Sequence, residues 1–280
     1  MILTTMQKLT KAVFLIGLIF ILSCSHRTES NCDNHFIKGN NFLLESDFDN
    51  ALKEFNASIQ KDSKNANAFY GRGTVCTLQG DYEKSIDNYN KAIEIDSKFI
   101  MAYYMRGVAE RMIGDNKNAL ADFQKSVELK PDFIFAIMQK ASQESELGHH
   151  QQAIEAITKA IQLQPNLYLA YYYRGTYQHS LGKTIEAIGD FTQLLKMKND
   201  YVNGYFYRGV FYGELKEYQN AISDLTKSIE LKTDFARAYI HRGIYEYALG
   251  QKENACHDFN KAKELGELTA QTYIEKYCKY

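Results

Sequence analysis

The sequence predicts an all-α protein made of seven 34-residue helix–turn–helix repeats, closed at the C-terminus by a capping helix. Three registers carry this expectation. Gly39, Gly73, Gly107, Gly175, Gly209 and Gly243, with Ala141 in the one vacant place, form a series with a step of 34 residues. Ala51, Ser85, Ala119, Ala153, Ala187, Ala221 and Ala255 keep the same step, as do Phe55, Tyr89, Phe123, Ile157, Phe191, Leu225 and Phe259. A period held in three registers without an insertion marks a repeat array, in which each unit buries its apolar face on its neighbours.

The array is preceded by an export signal. Residues 1–23 hold Lys8 and Lys11, then an apolar run from Ala12 to Leu22, and no acidic residue. The run is too short to cross a bilayer, which takes about 20 apolar residues, so it reads as a secretory signal. Ile21-Leu22-Ser23-Cys24 resembles the lipobox of bacterial lipoproteins. The resemblance implies cleavage before Cys24 and acylation of that residue. The chain would then be lipid-anchored in the bacterial cell envelope, with residues 24–31 as a short polar tether. Ser25, rather than Asp, points by analogy to the outer membrane. Acyl chains bind membrane through about 0.8 kcal/mol per buried CH₂.

The repeats span 32–65, 66–99, 100–133, 134–167, 168–201, 202–235 and 236–269, with the capping helix over 270–280. In the third repeat Tyr103, Gly107 and Met112 mark a first helix, which stops near Gly114-Asp115. A second runs from about Lys117 to Leu129, with Ala119, Phe123, Ser126 and Val127 facing inward. Glycines at 114, 148, 182 and 250 supply the left-handed residue that ends a first helix. Small residues at the Gly107 and Ala119 positions let paired helices cross closely. Pro131 and Pro165 block continuation of the second helix. Tyr277 stands where a further stacking helix would need Gly, as suits a cap.

This pattern resembles the tetratricopeptide repeat family: large at position 4, small at 8, Gly at 15, small at 20, aromatic at 24, small at 27 and Pro in places at 32. The resemblance implies antiparallel helix pairs wound into a right-handed superhelical solenoid with a concave groove. Departures are Tyr where the family often has Trp, Arg where it often has Leu at position 7, and polar residues at position 11. The first repeat is the weakest, with His35 and Lys38 at usually apolar positions.

The recurrent arginine has a partner in the sequence itself. Arg72, Arg106, Arg174, Arg208 and Arg242 occupy position 7, while position 23 of the same repeats holds Asn88, Asp122, Asp190, Asp224 and Asp258. In the fourth repeat both change together, to Lys140 and Ala156. That joint change argues for structural ion pairs, forked and partly buried, rather than a ladder for anionic ligands. The alternative partner is position 11, one helical turn on, where Glu110, Glu144 and Glu246 stand.

In the family, groove-facing residues come from first-helix positions 2, 5, 9, 12 and 13. Carried onto this sequence, position 5 gives Tyr70, Tyr104, Met138, Tyr172 and Phe206, and position 2 gives Met101 and Phe135. Position 12 adds Arg111, His179 and Tyr247. Such an aromatic lining suits peptide segments. The alternative is that these side chains cover the core between repeats; the position-4 tyrosines, Tyr103, Tyr171, Tyr205 and Tyr239, are expected to be core. The Lys and Asn of a carboxylate clamp at positions 5 and 9 are absent, which argues against a cochaperone.

No phosphate loop, HExxH or nucleophile elbow occurs, so no enzyme, resident metal or cofactor is expected. His149-His150 lie in a turn and read as solvated. Cys76 and Cys256 fall on core positions and read as buried free thiols; Cys256 with Cys278 is the one bridge the cap could make. A net charge of −1 argues against nucleic acid. The function expected is a membrane-anchored scaffold for protein or peptide partners, with a glycan or small-ligand receptor as the alternative. No oligomeric state follows from the sequence.

Overall fold

A computed structural model describes residues 33–278, and these contain fifteen helices and no strand. The signal, Cys24, the tether and Cys32 lie outside the described residues. The helices are α1 (Asn34–Leu44), α2 (Phe48–Lys61), α3 (Ala66–Gln79), α4 (Tyr82–Ile95), α5 (Ile100–Met112), α6 (Asn116–Leu129), α7 (Ile134–Glu146), α8 (His150–Leu163), α9 (Tyr168–Ser180), α10 (Thr184–Met197), α11 (Val202–Glu214), α12 (Tyr218–Leu231), α13 (Ala236–Ala248), α14 (Lys252–Glu264) and α15 (Ala270–Tyr277). The fold is all-α, with a pair of helices in each repeat. No helix among the described residues is long and apolar enough to cross a membrane.

The chain divides into two compact units, Met1–Ala136 and Ile137–Tyr280. In the first, Phe36, Leu43, Phe55 and Val75 form one core cluster, and Tyr89, Tyr104, Phe123 and Phe133 a second. In the other unit the clusters centre on Ile157 and Tyr177, on Phe191 and Phe211, and on Leu225 and Phe259.

The two spacing rules have a common steric cause. A Cβ on Gly73 would lie 2.7 Å from the Tyr89 ring, and one on Gly243 would lie 2.7 Å from Phe259. Five repeats therefore press the position-24 ring of the second helix against the position-8 glycine of the first, and in the sixth Leu225 takes the place of the ring against Gly209. Where Ala141 replaces glycine, Ile157 replaces the ring, and both are fully buried.

Helix ends follow local chemistry. Asp47, Asp81 and Asp115 each accept the N–H three residues on at the starts of α2, α4 and α6. His149, Lys183, Glu217 and Gln251 hold the same position in later repeats and make no side-chain cap bond. Glycines at 80, 114, 148, 182 and 250 take positive φ after the first helices, and Ser46 and Lys216 adopt it without being glycine.

Cys256 is not a free thiol but is joined to Cys278, with Cα atoms 5.7 Å apart. The helix α15 packs against α14, with Tyr273 and Tyr277 stacked on Phe259, and this brings the two sulfurs together. Cys76 is free and buried, and burial pushes its thiol pKa up.

Candidate functional site

Four arginines form forks on four aspartates. Arg106 donates Nε–H and Nη2–H to Asp122 at 2.7 Å each, and Arg174, Arg208 and Arg242 do the same to Asp190, Asp224 and Asp258 at 2.7–2.9 Å. The Nη1 arm of each reaches back 16 residues, to Asn90, Thr158, Thr192 or Thr226, on the second helix of the preceding repeat. Each guanidinium also lies 5.5–5.8 Å from the centroid of the position-4 tyrosine, one turn before it. Tyr103, Tyr171 and Tyr205 are consequently half-buried lids on the arginines rather than core residues; Tyr239 alone of the four is buried.

Position 11 adds a third charge to two forks. Glu110 lies 3.9 Å from Arg106, and Glu246 lies 3.9 Å from Arg242. Burial, with Asp122 adding repulsion, pushes Glu110 up to about 8. The same causes, with Asp258, push Glu246 to about 7. Near neutrality Glu110 is largely protonated and Glu246 about half so, which lessens the repulsion each has with its neighbouring aspartate.

The residues expected to line a groove separate into two groups. Tyr70, Met101, Tyr104 and Phe206 are buried, so they are core rather than open lining. Tyr70 packs on Phe99 at 5.1 Å, Tyr104 on Phe133 at 5.1 Å and Phe206 on Phe235 at 4.8 Å. Position 5 thus fills the seam between a repeat's helix pair and its last residue. Tyr172 is half-buried in the same kind of seam, among Phe191, Tyr201 and Tyr207, and Met138 packs beside the Ile157 cluster. Phe135 is 39% exposed. Arg111 is half-buried on α5. Tyr247 lies against Tyr277 at 4.4 Å, and His179 stacks on Phe211 at 4.1 Å while its Nε2 meets Glu214 at 2.7 Å.

What lies open in the second unit is one step round the helix. An α-helix turns about 100° per residue, so positions 2, 6, 9 and 13 share an arc of about 60°. On α9, α11 and α13, position 6 gives Tyr173, Tyr207 and His241, and position 9 gives Thr176, Val210 and Ile244, all half-exposed. Arg237 at position 2 is exposed and lies over the Phe206 ring at 5.3 Å. Burial, then Arg237, lowers the His241 pKa, against an opposing pull from Glu214, so the ring is neutral near pH 7. Sequence reasoning passed over the position-6 row, although two tyrosines and a histidine spaced 34 apart were its signal. Among the described residues no cluster of His, Cys, Asp and Glu is placed to hold a metal; His149 instead bonds Glu144 at 2.8 Å.

Family profiles for the tetratricopeptide repeat match residues 66–99, 102–133, 136–167 and 202–235. The chain carries tetratricopeptide repeats. A solved tetratricopeptide repeat protein from Parabacteroides merdae is 20% identical, with a TM-score of 0.62 over 88% of this chain and 98% of that one. The C-terminal part of a repeat-containing protein from Cytophaga hutchinsonii is 15% identical, with a TM-score of 0.73 over 85% and 99%. YrrB, described as a TPR protein with an unusual peptide-binding site, is 21% identical, with a TM-score of 0.60 over 66% and 95%. These three likenesses concern the fold. No curated protein matches the chain. The repeat matches support a protein-interaction scaffold.

Proposed function

We propose that the chain is an exported lipoprotein, held to the cell envelope by acylated Cys24, that offers the open face of α9, α11 and α13 to a protein or peptide partner. The anchor rests on Lys8 and Lys11, the Ala12–Leu22 run and Ile21-Leu22-Ser23-Cys24, and Ser25 favours the outer membrane. The observation that carries the binding role is the half-exposed row of Tyr173, Tyr207 and His241 on three successive first helices. Tyrosines present a flat apolar ring with a hydroxyl at its rim, at little entropic cost on binding. Thr176, Asn203 and Arg237 stand beside them as donors for the carbonyls of an extended segment.

Photo-crosslinking tests this directly. A crosslinking amino acid replaces Tyr173 or Tyr207 in the full chain in bacteria, with the exposed Gln151 on α8 as control. One dominant protein adduct from the tyrosine sites supports the adaptor. Adducts confined to Gln151 move the partner to another surface, and binding of purified oligosaccharide with no protein captured selects the glycan receptor. Cys24→Ser should abolish incorporation of labelled palmitate and release the chain from membranes; retention of both would refute the anchor.

A further inference from the structure

Among the five position-7 arginines, Arg72 alone lacks a carboxylate. Its Nε donates to Asn88 Oδ1 at 2.6 Å and its Nη1 to Asn56 Oδ1 at 2.8 Å, both neutral amides. The Asn88 amide is oriented by its own bond, Nδ2 to the Lys84 carbonyl at 2.7 Å, which turns the oxygen toward the arginine. No acceptor for Nη2 is present among the described residues, although in the four other repeats this arm holds the second aspartate oxygen. Position 11, a glutamate beside Arg106 and Arg242, is Cys76 here. Arg72 therefore carries a half-buried charge with no carboxylate within ion-pair distance, and burial lowers its pKa where the four forked arginines are raised.

A cavity of about 530 Å³ opens at this arginine, lined by Phe69, Asp87, Asn88, Asn90, Lys91 and Glu94 with it. The Phe69 ring lies 5.2 Å from the guanidinium carbon. Lys91 is paired with Glu94 at 2.7 Å, so the charges not cancelled within the cavity are Arg72 and Asp87. We propose that Arg72 is the seat of a carboxylate-binding site that takes an Asp or Glu side chain of a protein partner. The partner supplies in trans the acid that four repeats supply in cis. A singly charged carboxylate neutralises Arg72, whereas a phosphate dianion would face Asp87 and Glu94, since like charges at this range repel. The site lies on α3 and α4 of the first unit, and it stands or falls separately from the proposed face of α9, α11 and α13.

The test reads the arginine Nε–Hε resonances of the ¹⁵N-labelled full chain during titration with acetate, with N-acetylglutamate amide and with inorganic phosphate at fixed ionic strength. The Arg72 resonance is identified by its loss in Arg72→Lys. It should shift saturably with both carboxylates while those of Arg106, Arg174, Arg208 and Arg242 stay still. Asn88→Asp restores the pattern of the other repeats, keeps the fold and should abolish the shift. An unmoved Arg72, or an unchanged response in Asn88→Asp, overturns the site. A larger response to phosphate than to acetate overturns its assignment to carboxylate.

Discussion

Arg106 and Asp122 meet through two parallel hydrogen bonds of 2.7 Å, and Asn90 takes a third from the same guanidinium at 2.6 Å. One side chain thereby ties α5 to α6 and to α4, the second helix of the preceding repeat. Removing the acid leaves a largely buried cation without its partner. Asp122→Ala should cost about 3 kcal/mol, the low end for breaking a buried pair because Arg106 keeps some contact with water. Asp132→Ala, at an exposed position, should change stability by no more than about 0.5 kcal/mol. Urea unfolding of the two variants decides it, and equal costs would remove the pairing from any structural role.

The position-11 glutamates beside the Arg106 and Arg242 forks make stability fall with rising pH. Glu110 and Glu246 titrate at about 8 and about 7 in the folded chain, against an ordinary value near 4.5. The folded state therefore binds protons that the unfolded state has lost. Their stabilisation is complete below about pH 4.5 and is lost as pH rises toward 7 and 8, by at most about 1.4 kcal/mol per pH unit for each carboxyl. Glu110→Gln keeps the shape and removes the titration. Its unfolding midpoint should be less dependent on pH between 5 and 8 than that of the parent, and parallel pH profiles would show that Glu110 is ionised throughout.

The helices and their pairing are legible in the sequence because close packing repeats the same demand every 34 residues: a ring at Phe123 needs a glycine at Gly107. The partnership of Arg with Asp is legible because both are absent together, at Lys140 and Ala156. The open face is harder to read, since position 5 and position 6 differ by one residue, a rotation of about 100°. That step separates Phe206, 2% exposed, from the half-exposed Tyr207, and composition does not distinguish two neighbouring aromatics. The bridge between Cys256 and Cys278 depends on where α15 lies, which no helical period encodes.

The fourth repeat is the place to restore a missing fork. Ala141 and Ile157 compensate each other sterically, so the deficit there is electrostatic. Lys140→Arg combined with Ala156→Asp should add about 1 kcal/mol, while either change alone should gain less, because Lys140→Arg by itself leaves the guanidinium without a carboxylate and Ala156→Asp by itself meets an ammonium that cannot form the two-bonded fork. In the parent, amide exchange among the internal repeats should be fastest between Ala141 and Ala156, since stability in such arrays is summed from neighbouring units. Exchange there as slow as in the fifth repeat would contradict it.

Two helix ends invite substitution on the same logic of comparing repeats. Lys183 precedes α10 without a cap bond, at the place where Asp81 and Asp115 cap α4 and α6. Lys183→Asp should stabilise by about 1 kcal/mol. Lys216 sits at φ 63° where five repeats have glycine, and Lys216→Gly should gain about 0.5–1 kcal/mol by relieving the left-handed backbone. Thermal unfolding of each variant reads the sign, and a loss at either site would mean the lysine side chain holds a contact worth more than the helix end.

The C-terminal helix is the element whose hold depends on redox state. Eight residues of α15 bury little, and the Cys256–Cys278 bridge closes 22 residues of chain across them. Opening a loop of that size returns entropy worth about 3 kcal/mol to the unfolded segment. Because contacts in a repeat array run only to neighbours, the loss should stay local. Reduction, or Cys256→Ser, should therefore raise amide exchange across α15 and in α14 around Phe259, from which Tyr273 and Tyr277 would lift, and leave α3 to α6 protected as before. Uniform loss of protection along the chain would show that the cap is an integral part of one cooperative fold, whereas unchanged exchange in α15 would show that ring stacking alone holds it down.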